Sequence, residues 1–196
     1  MLGSIILLLL NITFGLLTLL LLARFFMQWQ RVPFYNQIGQ FILKATDWIV
    51  VPFRRFVPGF YGMDMASLLP AFLLQMAHAS LELGIRSIGF GGGVAGIVLG
   101  LPGVAVVDLL RLVVYLLFAI ILVAALISWI SPNAPAAPIF RMLAEPFLRP
   151  FRRVIPTVAN IDLSPLAALV LLQIALIVLT GLRNNFVMMV AGAVGA

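Results

Sequence analysis

Four polar side chains recur on one helical face inside an otherwise oily stretch: Gln75, His78, Glu82 and Arg86, at i, i+3, i+7 and i+11. At 3.6 residues per turn these positions form a stripe. An amide, an imidazole, a carboxylate and a guanidinium in a row suit two roles: polar glue between helices, or a pathway for ions or protons. Both readings stay open here. Glu82 and Arg86 are spaced to pair at i+4. Asp108 and Arg111 form a second pair, expected to face the first. Farther on, Gln173 and Thr180 repeat the stripe without an acid or an imidazole. His78 is the one histidine, and a single imidazole is a poor coordination set, so no haem or metal site is expected.

A second pattern is written twice. Pro52-Phe53-Arg54-Arg55-Phe56-Val57-Pro58 returns as Pro150-Phe151-Arg152-Arg153-Val154-Ile155-Pro156. The register then holds without a gap: Asp64 falls on Asp162, and Leu73-Leu74-Gln75 on Leu171-Leu172-Gln173. Upstream, Trp29 matches Trp129 after a two-residue slip. Each PFRR is expected to form a turn, its prolines limiting helix on either side. Phe53 and Phe151 would anchor in the membrane interface. Arg54, Arg55, Arg152 and Arg153 would reach phosphate depth and grip an anionic lipid headgroup or a partner. Plain topology anchoring by positive flanks is the simpler alternative. Asp64 and Asp162 sit where helix caps belong; they are also placed to pair with the arginines before them and close the turn as a clamp.

The elements that carry these residues follow from composition. The chain has 196 residues, 64% of them hydrophobic and only 9% charged. Its mean hydropathy is +1.21. A soluble domain is roughly 25% charged, so the bilayer must be the solvent. A pI near 11.1 is not read as nucleic-acid binding, because the 12 Lys and Arg are few and gather beside apolar segments. Without cysteine there is no disulfide or thiolate nucleophile. No cleaved signal peptide is expected, since a basic N-terminal region is missing and the first apolar run ends in Ala23-Arg24-Phe25-Phe26.

Four segments are long enough to cross about 30 Å of hydrocarbon: near 3–26, 64–86, 109–130 and 164–183. Arg24 and Trp29 at the end of the first suit an interface, the arginine snorkelling. Residues 87–107 are uncharged but rich in glycine, including Gly92, Gly96 and Gly100. With four spans, the basic loops 31–63 and 131–163 both face the cytoplasm, as the positive-inside rule prefers. The glycine-rich stretch is therefore expected as a re-entrant or interfacial connector. Within the loops, Ile38, Phe41, Ile42, Ala45, Trp48 and Ile49 oppose Gln37, Gln40, Lys44 and Asp47 at helical spacing. Ile139, Met142, Leu143 and Phe147 likewise oppose Arg141, Glu145 and Arg149, which are spaced to pair. Both segments are expected to lie in the headgroup plane.

The expected fold is an all-α membrane protein of four transmembrane helices, built as two repeats of parallel orientation. Each repeat carries a cytoplasmic amphipathic segment and a PFRR turn. The first repeat covers 1–88, the connector 89–107 and the second repeat 108–196, with both termini non-cytoplasmic.

The Phe26-Met27-Gln28-Trp29 end of the first span, Phe34-Tyr35-Asn36, the doubled PFRR, the doubled aspartate and Ser164-Pro165 resemble the YggT family. The resemblance implies a small multi-pass protein of the bacterial inner membrane with duplicated hydrophobic units and no established reaction. It also implies an association with osmotic tolerance and ion uptake, cell division or envelope assembly. It brings no catalytic residues. The second unit has Ser131-Pro132-Asn133-Ala134-Pro135 where the first has Phe34-Tyr35-Asn36, so the two faces need not bind alike.

The leading expectation is a non-enzymatic membrane scaffold or assembly factor. The alternative is an ion-handling protein with a polar pathway through Gln75, His78, Glu82, Arg86 and Gln173. No P-loop, GxSxG, zinc-ligand set or acid–base pair placed for chemistry is present. No cofactor is expected. The expected partners are anionic lipid headgroups and membrane or cytoplasmic proteins, with homo-oligomerisation open and no direct nucleic-acid partner.

Overall fold

The computed structural model describes residues 2–57, 64–85, 93–131, 133–154 and 162–192. Every regular element among them is a helix: α1 Leu2–Trp29, α2 Gln37–Arg54, α3 Met65–Ile85, α4 Gly93–Ile130, α5 Ala137–Val154 and α6 Ser164–Ala191. Of these, α1, α3, α4 and α6 are long and apolar enough to cross a membrane. Their outward faces carry bands of bare hydrocarbon. Leu8, Leu9, Ile12 and Leu16 of α1 and Val170, Ile174, Ile177 and Val178 of α6 are all more than half exposed. Bands this large find their solvent in lipid. The chain is a multi-pass membrane protein.

Helices α1 and α3 pack together, as do α4 and α6, and α3 joins the two pairs through α4. The short α2 leans on α1 and α3, and α5 on α4 and α6. One apolar cluster (Met27, Ile42, Ile121, Leu143, Leu148 and Ala168) stitches both short helices to the spans. A second (Leu21, Val50, Ala66 and Ala71) fills the space between α1, α2 and α3.

The glycine-rich stretch departs from expectation. Residues 93–107 are the beginning of α4, continuous with the third span; residues 89–92 lie outside the described residues. Glycine costs a helix about 1 kcal/mol per position relative to Ala, but here its small size is used. A Cβ at Gly103 would come within 2.4 Å of the Phe186 ring, and one at Gly100 within 2.5 Å of Val190. Close approach of α4 and α6 outweighs the weak propensity. At 38 residues, α4 is about 57 Å long, well beyond the hydrocarbon thickness.

Helix α2 begins at Asn36, whose Oδ1 accepts from the Gly39 N–H at 2.7 Å. Gly39 sits so close to Phe34 that a Cβ would meet its Cα at 2.8 Å. α2 buries Gly39, Ile42, Thr46 and Val50 and leaves Phe41 and Trp48 exposed. α5 buries Ala137, Leu143, Ala144 and Leu148. The PFRR segments are not separate turns. Pro52, Phe53 and Arg54 are the last residues of α2, and Pro150 to Arg153 lie inside α5. Proline is tolerated because Met142, Pro146 and Pro150 fall at i, i+4, i+8 on the exposed side. The carbonyls left without an N–H partner there face outward.

Candidate functional site

The polar stripe of α3 is the floor of a cavity of about 320 Å³. α1 contributes Asn11 and Gly15, α3 contributes Gln75, His78 and Glu82, α4 contributes Asp108, Arg111, Leu112 and Tyr115, and α6 contributes Arg183. Glu82 lies about 26 Å along α3 from its start, and Arg183 about 29 Å along α6.

Arg183 organises the charge. Its Nη2 donates to Glu82 Oε2 at 2.6 Å, and its Nε donates to both Asp108 oxygens at 2.8 and 3.0 Å. Arg111 adds a longer bond to Asp108 Oδ1 at 3.2 Å. His78 Nε2 donates to Asn11 Oδ1 at 2.9 Å, and its Nδ1 is buried without a hydrogen-bond partner among the described residues. Deeper still, Gln75 Nε2 donates to Thr18 Oγ1 at 2.9 Å, with both residues buried.

His78, Glu82 and Asp108 bring ligand atoms within 4.8 Å of one another. That donor set could hold a cation on its own. Here two guanidinium groups already balance the two carboxylates, so a divalent ion would add uncompensated charge. Asp108 faces Glu82, as its spacing suggested; Arg86 lies outside the described residues. Gln173 is elsewhere. It lines a separate, more open hollow with Tyr115, Leu176, Ile177 and Thr180. In the 98-residue register, Gln75, His78 and Glu82 become Gln173, Leu176 and Thr180. The second hollow therefore lacks the ionisable groups of the first.

Three members of the site were missed from sequence. Asn11 and Thr18 are polar at i, i+7 in a leucine-rich span, the same step as Gln75 to Glu82, and that signal was available. Arg183 reads as the boundary of the fourth span, whereas α6 continues to Ala191.

At the other end of the spans stand two matching clasps. Arg54 Nη2 donates to Asp64 Oδ2 at 2.9 Å, and Arg152 Nε to Asp162 Oδ2 at 2.8 Å, each across ten residues. Each ties the end of a short helix to the first turn of the next span. Arg54 also reaches Gln28 at 3.0 Å, and Ser67 Oγ donates to Asp64 at 2.7 Å. Arg152 also holds Glu145 at 2.5 Å, so Glu145 pairs with Arg152 and not with Arg141 or Arg149. Leu163 and not Asp162 is the N-cap of α6, and the Ser164 N–H donates to Asp162 Oδ1 at 2.9 Å from just inside the helix. Burial alone would raise the Asp162 carboxyl; Ser164 and Arg152 outweigh it and hold it below its ordinary range. Phe53 and Phe151 are half-buried beneath the clasps. Arg55 and Arg153 are exposed, with no ion-pair partner among the described residues.

Arg24 does not snorkel. It is 3% exposed and donates to Thr46 Oγ1 at 2.8 Å and Asp47 Oδ1 at 2.7 Å. α2 lies over it and supplies the acceptors that a headgroup would otherwise offer. Trp29 and Trp129 remain about half exposed, as interface aromatics would.

The family model described as CCB3/YggT matches residues 3–84 and 103–183. An uncharacterized protein of Pseudomonas aeruginosa is 33% identical over 162 residues, spanning 82% of this chain and 80% of its own. The uncharacterized protein YggT of Escherichia coli strain K12 is 35% identical over 167 residues, with 85% and 84% covered. An uncharacterized protein from the proC 3′ region of Vibrio alginolyticus is 34% identical over 169 residues, with 85% and 89% covered. No solved structure matches. With both halves matched by one family model and three relatives aligned over most of its length, this chain belongs to the CCB3/YggT family.

Proposed function

We propose that the chain is a non-enzymatic membrane scaffold or assembly factor of the bacterial inner membrane. It works through the end where α2 and α5 lie. The observation that carries this reading is a division of labour within each arginine pair. Arg54 and Arg152 are engaged in clasps, which fix Arg55 and Arg153 in place as exposed, unpaired cations. Exposed Arg31, Lys44, Arg141 and Arg149 share this end with exposed Trp29, Trp48 and Trp129. Guanidinium groups grip phosphate bidentately, and each basic residue near an anionic surface is worth about 1 kcal/mol. The positive-inside rule then sets this end at the cytoplasm, with two like-oriented repeats and both termini outside. α2 and α5 would lie in the headgroup plane, Phe41 and Trp48 toward lipid.

The test places photocrosslinkers at Phe53 and Phe151 in native membranes and measures spin-labelled phosphatidylglycerol association in nanodiscs. Arg55→Gln with Arg153→Gln is expected to lose the captured proteins and the preference for phosphatidylglycerol over phosphatidylcholine. Unchanged capture and unchanged preference would overturn the reading.

The ionisable cluster within the spans favours a second reading, ion handling. It predicts that Glu82→Gln alters ion flux in reconstituted vesicles at normal expression. Leu21, Val50, Ala66 and Ala71 form an apolar cluster among α1, α2 and α3, with buried Arg24, Thr46 and Ser67 on the same helices. Unchanged flux would remove this reading.

A further inference from the structure

We infer that the cavity framed by α1, α3, α4 and α6 binds the phosphate-bearing head of an amphiphile, held by Arg111, with its apolar portion leaving beside Gly15.

The groups left over inside the cavity define the ligand. Arg183 is engaged by both carboxylates. Arg111 makes one bond, at 3.2 Å, and its buried Nε has no hydrogen-bond partner among the described residues. His78 is 8% exposed, and its Nδ1 is likewise buried without a partner. The site thus offers a guanidinium with spare donors in the same cavity as a buried imidazole. A cation gains nothing from Arg111. A phosphoryl oxygen fits the donors that its partly exposed guanidinium has left.

The mouth identifies the rest of the molecule. Gln75, His78, Glu82 and Asp108 are at most 8% exposed and form the floor. The rim is made by two spans, with Asn11 exposed on α1 and Tyr115 45% exposed on α4. Beside Gly15 a Cβ would meet nothing within 4 Å. Its neighbours Ile12 and Leu16 are more than half exposed, so this gap opens on the lipid-facing surface. The charged end of the floor, Glu82 with Arg183, lies about 26–29 Å from the clasped end of the spans, while His78 is about 20 Å and Gln75 about 15 Å along α3. One hydrocarbon thickness, about 30 Å, therefore puts Glu82 and Arg183 near the headgroups of the opposite leaflet. In the register that matches Trp29 to Trp129, Gly15 corresponds to Tyr115. Gly15 leaves a gap at the rim of the cavity where its counterpart Tyr115 places a ring at the same rim.

The test uses chain carrying Arg55→Gln and Arg153→Gln, which weakens lipid association at the basic end; cavity variants made in that background separate the cavity from what Arg31, Lys44, Arg141 and Arg149 retain. The protein is released from dioleoylphosphatidylglycerol nanodiscs and weighed intact by native mass spectrometry, with and without inorganic phosphate. One retained phospholipid per chain is expected. Gly15→Tyr and Arg111→Gln should each lower its occupancy by about tenfold or more. At Gly15 an added Cβ meets nothing within 4 Å, so Gly15→Tyr should still fold, read as a cooperative thermal transition of the lipid-free protein; it decides the matter if Arg111→Gln fails to fold. Displacement of the lipid by inorganic phosphate keeps the phosphate site and assigns it to a solute; persistence of the lipid assigns it to the bilayer. No retained lipid and no phosphate binding, or equal retention in Gly15→Tyr, would overturn the proposal.

Discussion

Arg183 donates to Glu82 at 2.6 Å although 101 residues separate them in the chain. The bond joins α6 to α3, and through Asp108 the same guanidinium also holds α4. Side-chain exposures of 17% and 7% make this a largely dehydrated pair. Removing its cation leaves two buried carboxylates without their main counter-charge, a change that costs about 3–5 kcal/mol in buried pairs. Arg183→Gln is therefore expected to lower the melting temperature of the solubilised protein sharply. Adding Glu82→Gln and Asp108→Asn should recover much of the loss. A single variant as stable as the parent would show that the two halves are held by apolar packing alone.

The two clasps should not be equal in strength. Asp64 is 4% exposed and accepts from both Arg54 and Ser67, whereas Asp162 is 27% and its partner Arg152 41% exposed. Water screens the second pair, and exposed ion pairs contribute roughly 0–1 kcal/mol. Arg54 is itself 47% exposed, so the difference rests on buried Asp64 and its buried donor Ser67, and truncating such an acceptor costs about 1–3 kcal/mol. Asp64→Asn should therefore destabilise more than Asp162→Asn in thermal unfolding. The reverse order would mean that the second clasp is backed by contacts beyond the described residues.

The membrane class, the spans and the ten-residue arginine–aspartate spacing were legible because each depends on local pattern. Leucine runs need no partner to be recognised, and an Asp ten residues after an Arg across a helix junction sits within reach. What was not legible depends on partners distant in sequence. Gly100 and Gly103 read as a connector until Val190 and Phe186 are seen to occupy the space they leave. Arg24 reads as a snorkelling cation until Thr46 and Asp47 come down over it. Arg183 reads as the end of a span until two acids from α3 and α4 meet it. In each case the intrinsic preference was estimated correctly and was then overridden by packing.

Acid should open the second clasp, and only strong acid. The Asp162 carboxyl is held below its ordinary range despite partial burial, because Ser164 and Arg152 donate to its charged form. A carboxylate depressed in the folded state stabilises at every pH above its unfolded value, about 3.9. That contribution is lost as pH falls through the folded value. The clasp is thus closed throughout the neutral range and opens only below pH about 4. Spin labels on cysteines introduced at Val154 and Leu163 would report the separation of α5 from α6 as pH is lowered. The distance should stay constant from pH 8 to about 5 and widen only in stronger acid. In Asp162→Asn it should be pH-independent. Opening between pH 5 and 7 would require a titrating group other than Asp162. Because an aspartate held this way cannot titrate near neutrality, the clasp sets the position of Arg153 at all physiological pH values and does not switch it.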